Sequence, residues 1–284
     1  MEPYFESANK DFYLFSGDTR EVAPQLRPVF DAVFADPPYF LSNGGRTIQD
    51  RKLVSVDKGD WDRSPGYEQV TVFNRTWLTA VRQVMKSDAT IWVSGSMHNM
   101  FSVGQTLIEL GFRVLNVITW QKPSPPPNFS HFTFNYSSEY IIWARKSSEI
   151  QHFFDFDLMT RINGGLQMRD VWQLAPIEPW EKEFGKHPTQ KPLSLLARVI
   201  LASTKPNAWI LDPFTGSSTT GIAASLLHRR FVGIDLEADY LSISKNRRLQ
   251  IEDSSVRSQI LGKIKGFRGE SELRTILAEQ LSKE

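Results

Sequence analysis

Residues 208–221 read AWILDPFTGSSTTG, and this stretch decides the fold class. An apolar run at 208–212 ends on Asp212, and Pro213, which has no N–H to donate, forbids a continued ladder. Gly216 makes a tight turn and a helical pattern opens over 219–229. A second apolar run, FVGID at 231–235, follows, and another helical pattern spans 238–250. Strand, turn, helix and strand in this order build a parallel sheet with crossover helices. Working outward, strands are expected at 11–16, 31–35, 90–95, 112–120 and 138–145, and helices at 19–27, 68–86, 97–110 and 190–204. The expected fold class is therefore α/β.

The composition excludes more than it selects. The chain has 284 residues, 33 Lys and Arg against 32 Asp and Glu, a net charge of +1 and no cysteine. Without cysteine there is no disulfide, no thiolate-bound metal and no thiol nucleophile. A net charge so near zero rules out a blanket polycation, so any nucleic-acid site must be a local patch. The opening MEPYFESANK lacks the basic-then-apolar pattern of a signal peptide, and no apolar run approaches the ~20 residues of a membrane span. A soluble cytoplasmic protein, with no membrane partner, is expected.

Three stretches stand apart. Residues 40–66 are rich in Gly, Ser, Asn and Asp and read as a long loop. Residues 121–136 (QKPSPPPNFSHFTFNY) form a Pro- and aromatic-rich loop. Residues 150–186 have weak periodicity and read as a small insertion lying off the sheet. The expected division is 1–149 and 187–252 as two halves of one domain, 150–186 as the insertion, and 253–284 as a helical extension.

Asp36-Pro37-Pro38-Tyr39 follows the apolar run 31–35, at the strand end where open α/β sheets bind ligands. This tetrapeptide suits an exocyclic amino group, whose lone pair is withdrawn into its ring. Asp36 and the carbonyl of Pro37, held out by the rigid Pro37-Pro38 pair, can accept its two N–H bonds and free that lone pair. Tyr39 offers a flat face for a base. The bland alternative is a turn with a core tyrosine.

The loop at 212–221 departs from two nucleotide motifs. A Walker loop needs Lys and Ser/Thr after its last glycine, but Ile222 and Ala223 follow Gly221. A dinucleotide fingerprint needs glycine where Ser218 stands. A smaller anion, such as a carboxylate, still fits a tight turn at a helix N-terminus. Asp235 ends the next strand, where an acidic side chain binds ribose hydroxyls. Carboxylate, ribose and adenine together describe S-adenosylmethionine. The candidate residues are Asp212, Phe214, Gly216, Ser217, Ser218, Thr219, Thr220 and Asp235.

DPPY at 36–39 with DPFTGSSTT at 212–220 resembles the amino-methyltransferases of DNA, in their β-type order. His187-Pro188-Thr189-Gln190-Lys191-Pro192 is similar to the family's motif before the cofactor loop. The resemblance covers roughly residues 10–250. It implies a circularly permuted Rossmann-like sheet, mostly parallel with one antiparallel strand, and S-adenosylmethionine as cofactor. By the same resemblance, Thr189 and Lys191 help hold the methionine carboxylate, and Asp18 sits near the cofactor's adenine. The family usually has glycine at position 218. FADPPYFLSNGG, VSVDKGDWD, ITWQKPSPPPN, YIIWARK and GKHPTQKP further resemble the second methyltransferases of DpnII-type restriction systems. That likeness implies N6-methyladenine in GATC, tolerance of single-stranded DNA, a homodimer and a cognate restriction endonuclease. Cytosine-N4 methylation, methylation of RNA or a protein amide, and DNA binding without turnover are the alternatives.

Candidate DNA contacts are Asn43, Arg46, Arg51, Lys52, Lys58 and Trp61 in the first loop, and Lys122, Asn128, His131 and Tyr136 in the second. The insertion at 150–186 is the candidate target-recognition region, with Arg161, Gln167 and Arg169 able to reach base edges. His131 and His152 lack metal-ligand spacing, and no catalytic metal is expected.

Overall fold

The computed structural model describes residues 1–40, 46–49, 52–55, 66–125, 127–128, 132–185 and 187–281; at 46–49, 52–55 and 279–281 it describes the backbone. Along the chain run β1 (Phe5–Glu6), β2 (Phe12–Ser16), α1 (Thr19–Val22), β3 (Phe30–Ala35), β4 (Arg46–Gln49), β5 (Lys52–Ser55), α2 (Tyr67–Val84), β6 (Met85–Gly95), α3 (Met100–Glu109), β7 (Arg113–Gln121) and β8 (Ser138–Arg145). There follow α4 (Phe156–Ile162), β9 (Val171–Gln173), α5 (Leu193–Ser203), β10 (Trp209–Asp212), α6 (Thr219–Leu226), β11 (Arg230–Asp235), α7 (Ala238–Gln250), α8 (Ser254–Gly262) and α9 (Glu270–Leu281).

Nine strands form one sheet in the order β1-β2-β11-β10-β3-β6-β8-β7-β9. Every pairing from β2 to β6 is parallel, as is β7 with β9. The β8 strand runs antiparallel to both its neighbours. A second reversed strand, β1, joins the edge, so the expectation of one antiparallel strand is corrected to two. The cause is local: Lys10 takes a φ of 57° and donates its N–H to Ser7 O at 2.9 Å, folding β1 back on β2.

Side-chain alternation divides the core between the two sheet faces. Ile210 and Trp92 face one side, and Leu211, Ile91 and Val93 the other. Strands buried on both faces read as continuous apolar runs, which is why the sequence showed them so plainly. Helices α1–α3 cover one face, and α4–α9 supply apolar residues to the other.

Two further expectations change. Residues 40–66 are not loop throughout, because β4 and β5 pair antiparallel with Arg46 opposite Ser55. β-Branched Thr47, Ile48 and Val54 suit that pairing. Residues 150–186 do not lie off the sheet: β9 pairs with β7, and Met159, Ile162, Trp172 and Leu174 join the main core. Elements of seven and three residues were too short to show a period. The tail also packs inward, with Ile264, Phe267, Leu273 and Leu277 buried. Among the described residues no helix is long and apolar enough to cross a membrane.

The topology gathers one edge. The C-terminal ends of β2, β3, β10 and β11 deliver Gly17, Asp36, Asp212 and Asp235 there, and reversed β8 brings Glu139, its second residue, to the same edge. From β10 the chain moves to β11, and from β3 to β6, so β10 and β3 flank a switch point, where such sheets bind ligands.

Candidate active site

Pro37 and Pro38 stop β3 and leave Asp36 and Tyr39 at the switch point. The Tyr39 ring is buried, and its hydroxyl donates to Asp36 Oδ1 at 2.8 Å and lies 2.9 Å from Ser94 Oγ on β6. Lys191, just before α5, donates to Asp36 Oδ2 at 2.6 Å and to Thr189 O at 3.3 Å. Its ammonium is also 3.7 Å from Glu139 Oε2 and 5.3 Å from the centre of the Tyr39 ring. Burial alone would lower the Lys191 pKa, but the carboxylates of Asp36 and Glu139 outweigh it and raise the value. Burial, then Asp36 and Glu139, push the Tyr39 hydroxyl well above its ordinary value. At neutral pH the site thus holds an ammonium and a protonated phenol.

The second half is built on backbone geometry. Gly216 and Ser218 both take left-handed conformations, with φ of 49° and 54°. A Cβ at Gly216 would lie 2.9 Å from His187 Nε2. The Gly216 amide donates to Asp235 Oδ2 at 2.7 Å, and the Glu237 amide to Asp235 Oδ1 at 3.0 Å. Asp212 accepts from Thr220 Oγ1 at 2.5 Å and from the Phe214 amide at 3.1 Å. Burial drives the Asp212 carboxyl up to about 7 and raises Asp235 as well. Arg247 donates to Ser217 O at 2.6 Å and to Thr219 Oγ1 at 3.0 Å. Its burial lowers its own pKa to about 10, so it stays charged at neutral pH. Thr215 and Ser218 hydroxyls meet at 2.8 Å.

Asp18 caps α1 by accepting from the Arg20 amide at 2.8 Å, and the Arg20 guanidinium holds its pKa down. Phe214 packs between Phe73 and Trp77, at ring-centre distances of 6.1 and 5.2 Å.

Two cavities share a wall. One, of about 210 Å³, is lined by Asp18, Asp36, Pro37, Phe214, His187, Asp235 and Tyr240 among others. The other, of about 530 Å³, is lined by His98, Trp120, Lys122, Tyr136, Glu139 and Lys191 among others. Tyr39 and Thr189 line both. A narrow space of about 30 Å³ runs past His187, Gly216 and Thr220 to Asp36 and Lys191.

The N6_N4_Mtase family, described as DNA methylase, matches residues 30–246. The chain belongs to this family of DNA methylases. Type II methyltransferase M2.MboI of Moraxella bovis is 50% identical over 248 residues, covering 87% of this chain and 91% of that protein. Type II methyltransferase M2.DpnII of Streptococcus pneumoniae is 48% identical over 256 residues, covering 89% and 94%. The M1.HpyAVI–SAM complex superposes with a TM-score of 0.63 at 25% identity, covering 84% of this chain and 98% of that one.

In this methylase the sequence-predicted residues fall into three groups. Asp18, Asp36, Pro37, Pro38, Tyr39, Thr189, Phe214 and Asp235 line the first cavity. Asp212, Ser217, Thr219 and Thr220 are buried with their side chains or carbonyls on protein partners, so they hold the loop in shape. Lys191 sits on the carboxylate of Asp36, where the sequence had assigned it to a ligand's carboxylate.

Of the DNA candidates, Lys122 pairs with Glu139 at the larger cavity, and Tyr136 lines it. Asn128 donates to Thr133 Oγ1 at 2.6 Å and serves its own loop. Arg161 pairs with Glu272 at 3.5 Å. Gln167 and Arg169 line a groove of about 670 Å³ with Gln121, Arg198 and Arg268. Asn43, Arg51, Lys58, Trp61 and His131, and the side chains of Arg46 and Lys52, lie outside the described residues. Among the described residues no group of three His, Asp or Glu could hold a metal ion.

Sequence reasoning did not pick out Ser94, Glu139 or Tyr240, and named His187 only within its motif. Glu139 opens an expected strand, but only the reversed direction of β8 brings it to this edge.

Proposed function

We propose that this methylase transfers a methyl group from S-adenosylmethionine to adenine N6 in DNA, at GATC, with single strands accepted. One observation carries the reading: Asp36 lines the first cavity and is hydrogen-bonded to Tyr39, which lines both cavities, and to Lys191, which lines the larger one.

The first cavity fits a cationic nucleoside cofactor. Asp18, Asp36 and Asp235 line it, and buried Asp212 lies along the adjoining narrow space. Burial has raised Asp212 and Asp235, so a positive ligand nearby would relieve them. Asp18 and Asp235 would hold the adenosine end, and Gly216 and Thr189 the methionine end. When bound, S-adenosylmethionine supplies a methyl group made electrophilic by its sulfonium.

The protein's own part is to prepare the amine. A base in the larger cavity stacks against aromatic faces such as Trp120 and Tyr136. Asp36 accepts one N–H and the Pro37 carbonyl the other, which releases the nitrogen lone pair from the ring. Asp36 then takes the proton that becomes acidic as nitrogen acquires its fourth bond. With no cysteine in the chain, no thiol adduct with the base is needed or available. Base extrusion costs a few kcal/mol, least for a single strand, which supports tolerance of unpaired DNA. Adenine is favoured over cytosine because the resembling enzymes that act on cytosine N4 more often carry Ser where Asp36 stands. The order of the two motif halves is the permuted one. A cytoplasmic homodimer with a cognate restriction endonuclease completes the reading.

Labelled methyl transfer to oligonucleotides tests it. Label is expected in N6-methyladenine, with GATC DNA becoming resistant to a methylation-sensitive nuclease. Label in N4-methylcytosine, or unchanged cleavage, would overturn the adenine or the GATC assignment respectively.

A further inference from the structure

Four charged side chains run in alternating sign from Asp36, on the lining of the first cavity, to Lys122 on the lining of the larger one. Asp36 Oδ2 accepts from Lys191 at 2.6 Å, Lys191 is 3.7 Å from Glu139 Oε2, and Glu139 Oε1 accepts from Lys122. Lys191 is nearly closed off, at 7% side-chain exposure, whereas Lys122 at the end of β7 is 29% exposed. Glu139 thus faces two ammonium groups as well as the Tyr39 hydroxyl at 3.5 Å, and of its two ion pairs the longer is with Lys191.

That arrangement matters because Lys191 occupies an oxygen the target amine needs. Its charge also opposes the positive charge that builds on an attacking nitrogen, and in a buried site such repulsion is poorly screened. Glu139 is the one other carboxylate within ion-pair range of the Lys191 ammonium among the described residues.

We propose that Glu139 is a positioning residue that couples a nucleic-acid contact at Lys122 to the release of Asp36. A phosphate that draws Lys122 away removes its competition for the Glu139 carboxylate and strengthens the pull of Glu139 on Lys191. The ammonium then moves toward Glu139, and Asp36 Oδ2 is left to accept the amine. Hydrogen bonds are exchanged, and no proton changes hands. This inference rests on the reading of Asp36 as the amine acceptor.

Single-turnover methyl transfer by the full chain, with S-adenosylmethionine and saturating oligonucleotide, tests it. Glu139→Gln is expected to lower the transfer rate roughly 10- to 100-fold, the scale of a mispositioned reacting group, while the KM for DNA and cofactor affinity change little. Glu139→Asp should recover part of the rate. Lys122→Met should instead raise the KM for DNA, and adding it to Glu139→Gln should slow transfer no further. A Glu139→Gln rate within twofold of the parent, or a double variant that transfers several-fold more slowly than Glu139→Gln at saturating DNA, would overturn the coupling. Asp36→Ala run alongside separates the two ideas. If it is inactive while Glu139→Gln transfers normally, the coupling alone fails. If Asp36→Ala keeps its turnover, the acceptor reading fails and the coupling with it.

Discussion

The hydroxyl of Ser218, whose backbone is left-handed at the head of α6, lies 2.8 Å from the hydroxyl of Thr215. This pair explains how a serine is held in a conformation that favours glycine. The left-handed conformation costs a non-glycine residue about 1–2 kcal/mol, and a hydrogen bond in a fully buried spot offsets much of it. Ser218→Ala keeps the strain and strands the Thr215 hydroxyl, so it should cost about 1–3 kcal/mol. Ser218→Gly relieves the strain and should cost less. Urea unfolding of the two variants checks the order, and an alanine variant as stable as the glycine one would refute the account.

Asp212 gives the fold a pH dependence. Its carboxyl is raised from 3.8 to about 7 by burial, so between those values the folded state holds a proton that the unfolded chain releases. Stability should therefore fall as pH rises from about 4 to 7 and level off above, by a few kcal/mol at most. In the protein without cofactor, Asp212→Asn should flatten the melting temperature against pH across that window. Parallel curves for parent and variant would show that Asp212 is not the source.

The groove lined by Gln167, Arg169 and Arg268 offers donors and acceptors suited to base edges. We expect Arg169→Gln to weaken preference for the target site over singly altered sites by about 1–3 kcal/mol. Competition binding with altered oligonucleotides measures this. Unchanged discrimination would move site recognition elsewhere in the chain.

The strands that build the site were plain in the sequence because each is buried on both faces and ends on a proline, glycine or aspartate. Asp36, Asp212 and Asp235 were legible for that reason. What escaped was anything set by strand direction or partner. Glu139 could be placed on a strand, but not at the ligand-binding edge, until β8 was seen to run backward. Lys191 could be read as an anion partner, but not as a partner of Asp36, 155 residues away in sequence, and of Glu139. Three-residue β9 left no periodic trace, yet Trp172 on it is a core residue.

The Arg198 guanidinium of α5 meets two rings, 4.9 Å from the centre of Trp172 and 4.6 Å from that of Phe267, and donates to Gly266 O at 2.6 Å. One guanidinium thus clasps the region at 150–186 and the tail to the same helix. A chimaera that imports residues 150–186 from a relative without its matching tail would tear that clasp and bury an arginine against the wrong neighbours. Exchange of residues 150–186 between such enzymes should therefore leave a folded protein when the two segments travel as a pair.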